Sequence, residues 1–171
     1  MFEIPEERLP PGFADTVEEE PPEPAEARPA ATVVLLRDGD DGAEVLLMRR
    51  HRKSGFVPGA WVFPGGRVDP ADRAPELAAS CRGLPADPTP EPSFWMAAIR
   101  EAFEETGVLL GRRGGTGAEG AGDWVAAASS DPGVETVRRS LMDDRATLGD
   151  VVDRLGVTLD AGPMVHAAHW V

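Results

Sequence analysis

Phe94-Trp95-Met96-Ala97-Ala98-Ile99-Arg100-Glu101-Ala102-Phe103-Glu104-Glu105-Thr106-Gly107-Val108-Leu109-Leu110 is the stretch on which the rest of the chain turns. It is predicted to be a helix running into a short strand. Pro92 and Ser93 stand at its start, with Ser93 placed as an N-cap, and Gly107 sits where a left-handed stop is usual. At about 100° per residue, Trp95, Met96, Ile99, Ala102, Phe103 and Thr106 share one arc, the expected buried face. Glu101, Glu104 and Glu105 fall together on the opposite side, with Arg100 at their edge. Like charges at these spacings cost an isolated helix roughly 0.2–0.5 kcal/mol per pair. A solvated acidic face is one reading of the cluster. A divalent metal over it is the other, since hard cations take oxygen ligands and are often held by one or two carboxylates with substrate phosphates.

The chain has 171 residues, 42% of them hydrophobic, which suits one domain with a core. Its longest apolar run, Ala31 to Leu36, is far below a membrane span, and the expectation is a soluble, cytoplasmic protein without a membrane partner. Cys81 is the only cysteine, which leaves no intrachain disulfide and no cysteine-based zinc site. A net charge of −13 argues against nucleic acid as a partner. An anionic small substrate would need a metal and local basic groups. A homodimer is left open.

Residues 1–30 carry nine acidic side chains against Arg8 and Arg28, with many prolines, and are read as a disordered arm ahead of a domain from 31 to 171. Ala31 to Arg37 and Glu44 to Arg49 are β-rich runs joined by Asp38-Gly39-Asp40-Asp41-Gly42, a hairpin signal. The second run leads into Arg49-Arg50-His51-Arg52-Lys53, a candidate phosphate-binding edge or a solvated strand end. Trp61 to Val68 is expected to be a short strand turning sharply through Gly65 and Gly66, where backbone can approach a ligand closely. Asp69 to Ser93 holds an amphipathic piece near Pro75 to Cys81 and a proline-rich run, and is read as an insertion or lid, about 70–92.

Gly115-x-Gly117-x-x-Gly120 has the form of a dinucleotide fingerprint but lacks the strand and helix that motif needs, so a flexible loop is the better reading. Two helices are expected at Asp131 to Asp143 and Thr147 to Leu155, and a further strand from Met164 to Val171. His166 and His169, three apart, are read as packed histidines beside Trp170 rather than as ligands.

Phe63-Pro64-Gly65-Gly66, followed by Arg100-Glu101-Ala102-Phe103-Glu104-Glu105-Thr106-Gly107-Val108, resembles the Nudix hydrolase signature G-x5-E-x7-R-E-U-x-E-E-x-G-U, with U apolar. The second half matches at every specified position. Gly66 to Arg100 spans 34 positions where the signature has 14, so 20 residues are extra. Such an interrupted box is most similar to the branch with the peroxisomal coenzyme A diphosphatases.

The resemblance implies an α/β (α+β) protein, a Nudix-like α/β/α sandwich with a mixed sheet. With 64 residues after Gly107, most read as helix or loop, the C-terminal strands are expected to be missing. It implies hydrolysis of a nucleoside-diphosphate-X compound with Mg²⁺ or Mn²⁺ as cofactor. Glu101 and Glu105 take the principal metal-ligand roles, with Glu104 a further ligand, the Gly66 carbonyl a backbone ligand, and Arg100 the residue that orients the carboxylates. These glutamates and Arg100 form the expected catalytic set, and substrate is expected at Arg50, Arg52, Gly65 and Arg67. The upstream box glutamate stays unassigned among Asp72, Glu91 and Pro92, as does the catalytic base. A non-catalytic Nudix-like binding or regulatory module is the rival, and a nucleotide-binding redox domain a third reading.

Overall fold

In the computed structural model, residues 26–52, 58–113 and 131–169 are described in full and 123–126 for their backbone. Most of the acidic arm, Lys53, the Gly115–Gly120 run and Trp170 lie outside the described residues.

The first described elements form a β-rich layer. Strand β1 (Ala30–Thr32) pairs antiparallel with β6 (Gly65–Arg67), Ala31 opposite Gly66. The pairing is extended by Val33 N–H to the Pro64 carbonyl and Val68 N–H to the Pro29 carbonyl, both 2.9 Å. The β1–β6 pairing therefore includes Pro29 and Ala30. Strands β2 (Leu36–Gly39) and β3 (Gly42–Val45) form the expected hairpin, with Gly42 at φ 122° in its turn. Strand β4 (Met48–Arg49) pairs with β5 (Trp61–Val62). The expected sharp turn through two glycines is corrected: the bend is at Pro64, and Gly65 and Gly66 are paired strand residues.

The insertion is not a lid. A 3-10 turn (Pro70–Arg73) and helix α1 (Pro75–Ser80) send Leu77 and Cys81 into the core. Arg82 then exchanges backbone hydrogen bonds with Leu159 and Ala161, both 2.8 Å. Leu77 and Cys81 are apolar enough to gain more from burial than a mobile flap would gain from solvation.

Helix α2 (Pro92–Thr106) is the decisive stretch, bounded close to where its caps predict. Glu91, not Ser93, is the N-cap, because Pro92 suits the first helical position, where its missing N–H leaves no helical bond unmade. Gly107 closes the helix at φ 78°, its N–H on the Phe103 carbonyl at 2.9 Å. Met96, Ile99, Ala102 and Phe103 are fully buried, as the arc predicts. Trp95 joins them, its indole N–H donating to the Pro90 carbonyl at 3.0 Å.

The strand after the box reaches further than Leu110. Strand β7 (Val108–Arg113) pairs antiparallel with β8 (Asp123–Ala126) on one side and β9 (Val157–Leu159) on the other. Beyond the strand expected at Val108–Leu110, β8 and β9 thus follow, where the sequence read mostly as helix and loop. Short strands such as Val-Thr-Leu carry too little periodicity to stand out in a sequence. Among the described residues the named pairings are antiparallel, with one isolated parallel bridge between Arg82 and Asp160.

Helices α3 (Pro132–Met142) and α4 (Leu148–Leu155) form as expected, capped by Asp131 and by a Thr147–Asp150 capping box. Residues 164–169 form no strand, contrary to expectation. His169 instead sets its ring edge-on to Phe94, 6.3 Å between centroids. Helix α2 packs against β1, β6, β7, the 3-10 turn and α3, so its apolar side meets the core while its acidic side faces β6.

Candidate active site

The site is built around Arg100, which is only 5% exposed. Its Nε donates to both oxygens of Asp72 at 3.1 and 3.3 Å. Nη2 donates to Asp72 at 3.1 Å and to the Arg67 carbonyl at 2.7 Å. Nη1 donates to Glu101 at 2.9 Å and to Glu104 at 3.1 Å. These contacts match the five N–H donors of a guanidinium, so Arg100 orients carboxylates and has nothing left for a substrate. Burial works against its charge, but the hydrogen bonds and charge of Asp72, then the charges of Glu104 and Glu101, hold it above its ordinary range.

Asp72, 1% exposed, is six positions after Gly66 and so stands where the first half of the box has its glutamate. Of the three candidates left open it is the one in contact with Arg100. The 20 extra residues therefore lie between Asp72 and Arg100.

Glu105 turns the other way, accepting the Gly65 N–H at 2.9 Å. Gly66 lies hard against Glu101: a Cβ there would sit 2.3 Å from the Glu101 carboxylate. Burial raises the acid range of both Glu101 and Glu104; Arg100 pulls each down, while neighbouring carboxylates push each up. Negative charge exceeds what one guanidinium offsets.

These glutamates line one side of a cleft of about 690 Å³. Arg49, Arg50 and His51 line it too, as do Gly65, Phe63 and Arg138. The basic run thus supplies part of the cleft, but Arg52 and the side chain of Arg67 are exposed and do not line it. Arg67 serves through its carbonyl instead. Arg138, on α3, was not legible as a site residue, because only the packing of α3 on α2 brings it there.

The expected convergence of three carboxylates is also qualified. Among the described residues no three His, Cys, Asp or Glu side chains are arranged to hold a metal by themselves. Arg100 gathers Glu101 and Glu104, whereas Glu105 is drawn to Gly65. The donor set still fits a hard cation held by one or two carboxylates and completed by water or substrate oxygens.

The NUDIX domain pattern matches residues 26–80. The acyl-coenzyme A diphosphatase NUDT19 of Gallus gallus is 31% identical over 160 residues, covering 75% of this chain and 42% of the relative. The human protein of that name is 35% identical over 101 residues, 41% of this chain and 27% of the relative. A crystal structure of a NUDIX hydrolase from Alicyclobacillus acidocaldarius superposes with a TM-score of 0.62 at 32% identity, covering 80% of this chain and 58% of that one. The chain spans less than half the length of these curated relatives. With the box residues assembled around Arg100 and these likenesses to both sequences and a solved fold, the chain belongs to the Nudix hydrolase family.

Proposed function

We propose that the protein is a metal-dependent hydrolase that cleaves the diphosphate linkage of a nucleoside-diphosphate-X compound, with coenzyme A and its acyl esters the first candidates. The observation that carries this reading is the cleft itself, with Glu101, Glu104 and Glu105 beside Arg49, Arg50 and His51. Carboxylates alone would repel a diphosphate, and cations alone would bind it without assisting water attack. Glu101, Glu104 and Glu105 are the side chains that would hold Mg²⁺ or Mn²⁺, with the Gly66 carbonyl as a backbone ligand. When bound, the ion supplies neutralisation of the diphosphate charge and activation of the attacking water.

The chain's own residues do the positioning. Arg100 fixes Glu101 and Glu104 at 2.9 and 3.1 Å, so they are oriented before substrate arrives. Gly65 holds Glu105. The basic side chains Arg49 and Arg50 meet phosphate oxygens, while Met48, Val62 and Phe63 offer apolar surface to the remainder of the substrate. Water attack at one phosphorus breaks the anhydride and yields two phosphate-bearing products. The relatives named as acyl-coenzyme A diphosphatases support this choice of first substrates.

The test is turnover with Mg²⁺ or Mn²⁺ on coenzyme A, acyl-coenzyme A, nucleoside diphosphate sugars and dinucleoside polyphosphates, with Glu105→Gln as control. Product formed by the wild type and lost in the variant supports the hydrolase. Tight binding without product on every compound would identify a binding module instead.

A further inference from the structure

Helix α2 ends one residue after its last cleft-lining carboxylate, and its final turn is held from outside. The next helical donor for the Glu104 carbonyl would be the Val108 N–H, but that group turns to the Thr106 hydroxyl at 3.1 Å. Arg138 supplies what is missing. Its Nη2 donates to the Glu104 carbonyl at 2.6 Å and its Nε to the Phe103 carbonyl at 2.9 Å. Nη1 is tied to Glu135 on the same helix at 3.2 Å. The guanidinium thus sits on the negative end of α2, pairing the Glu104 carbonyl and sharing the Phe103 carbonyl with the Gly107 N–H, at the helix end where a cation is favoured. It also lines the cleft that Glu104 and Glu105 line.

We infer that Arg138 is a positioning residue, clamping the last turn of α2 so that Glu104 and Glu105 keep their place in the cleft. Two parallel bonds from one planar fork fix both the translation and the rotation of that turn. A lysine ammonium keeps the charge but lacks the fork. The consequence for metal binding rests on the hydrolase reading; the clamp on the helix end does not.

Arg138→Gln and Arg138→Lys test the inference by two readouts. Amide hydrogen exchange over residues 101–108 should speed up in Arg138→Gln while the strands β1 and β6 keep their protection, because the helix end opens locally without its outside donors. Mn²⁺ affinity, read by electron paramagnetic resonance, should weaken by at least about tenfold, the loss typical when a residue supporting metal ligands is removed, with Arg138→Lys between the variant and the wild type. Where substrate is turned over, kcat should fall more than KM rises. Exchange in the last turn unchanged in both variants overturns the inference, as does uniform loss of protection across the whole chain. A wild type that binds no Mn²⁺ removes the metal reading and leaves the local exchange result to decide the clamp.

Discussion

Asp72 and Arg100, 28 positions apart, form a buried ion pair with three hydrogen bonds of 3.1 to 3.3 Å. Removing one partner of such a pair strands the other charge, at a cost of about 3–5 kcal/mol. Asp72→Asn and Arg100→Met should each destabilise by about that amount in urea denaturation, and the double variant by clearly less than the sum. Additive effects would mean that the two side chains do not depend on each other.

The paired glycines should behave differently when given a methyl group. A Cβ on Gly65 would meet the Ala31 backbone carbonyl at 2.5 Å, so the β1–β6 ladder must shift. Gly65→Ala should cost about 1–3 kcal/mol of stability. On Gly66 the obstacle is the end of the Glu101 side chain, which can swing away. Gly66→Ala should therefore leave the melting temperature nearly unchanged while hydrolysis falls on the order of 100-fold, because Glu101 is displaced. Equal melting losses for the two would contradict this division.

Asp160 links β9 to β7. Burial opposes its charge, but the Arg112 side chain at 2.7 Å and the Gly162 N–H at 2.9 Å hold its carboxyl below the ordinary aspartate range. Its folded value is depressed, so its contribution is present above the ordinary carboxylate range and fades as pH falls through the folded value. In acid titrations, Asp160→Asn should lower stability at neutral pH and flatten the loss seen below about pH 4. An unchanged acid limb would show that the pair with Arg112 contributes nothing.

Burial pushes the Cys81 thiol up to about 11, against a hydrogen bond to the Ala161 backbone. The thiolate is the reactive form. At pH 8, iodoacetamide should modify the native chain only at the rate of unfolding, and modify it promptly in denaturant. The raised folded value also means that this group's stabilising contribution is full below the unfolded thiol's value of 9.0 and is lost between there and about 11. Fast labelling of the native protein would place Cys81 nearer solvent than its 8% exposure indicates.

Much of α2 was legible because its signals are local. Apolar spacing, a proline at the start and a glycine at the stop all lie within a few turns, so residue spacing alone places Met96, Ile99 and Phe103 inside and Glu101, Glu104 and Glu105 outside. The hairpin turn and the caps at Asp131 and Thr147 were readable for the same reason. The strands β8 and β9 were not, since three or four residues carry no decisive period and owe their pairing to β7.

By itself the sequence determined which face of the central helix is acidic and where that helix ends, since each is a matter of neighbours along the chain. Only the tertiary structure decided that Asp72 holds Arg100, that the insertion docks in the core, and that Arg138 closes the helix end. Those pairings join residues some 28 to 35 positions apart or more. Which distant groups meet depends on the path of the backbone around a shared apolar core, and no local pattern encodes that path.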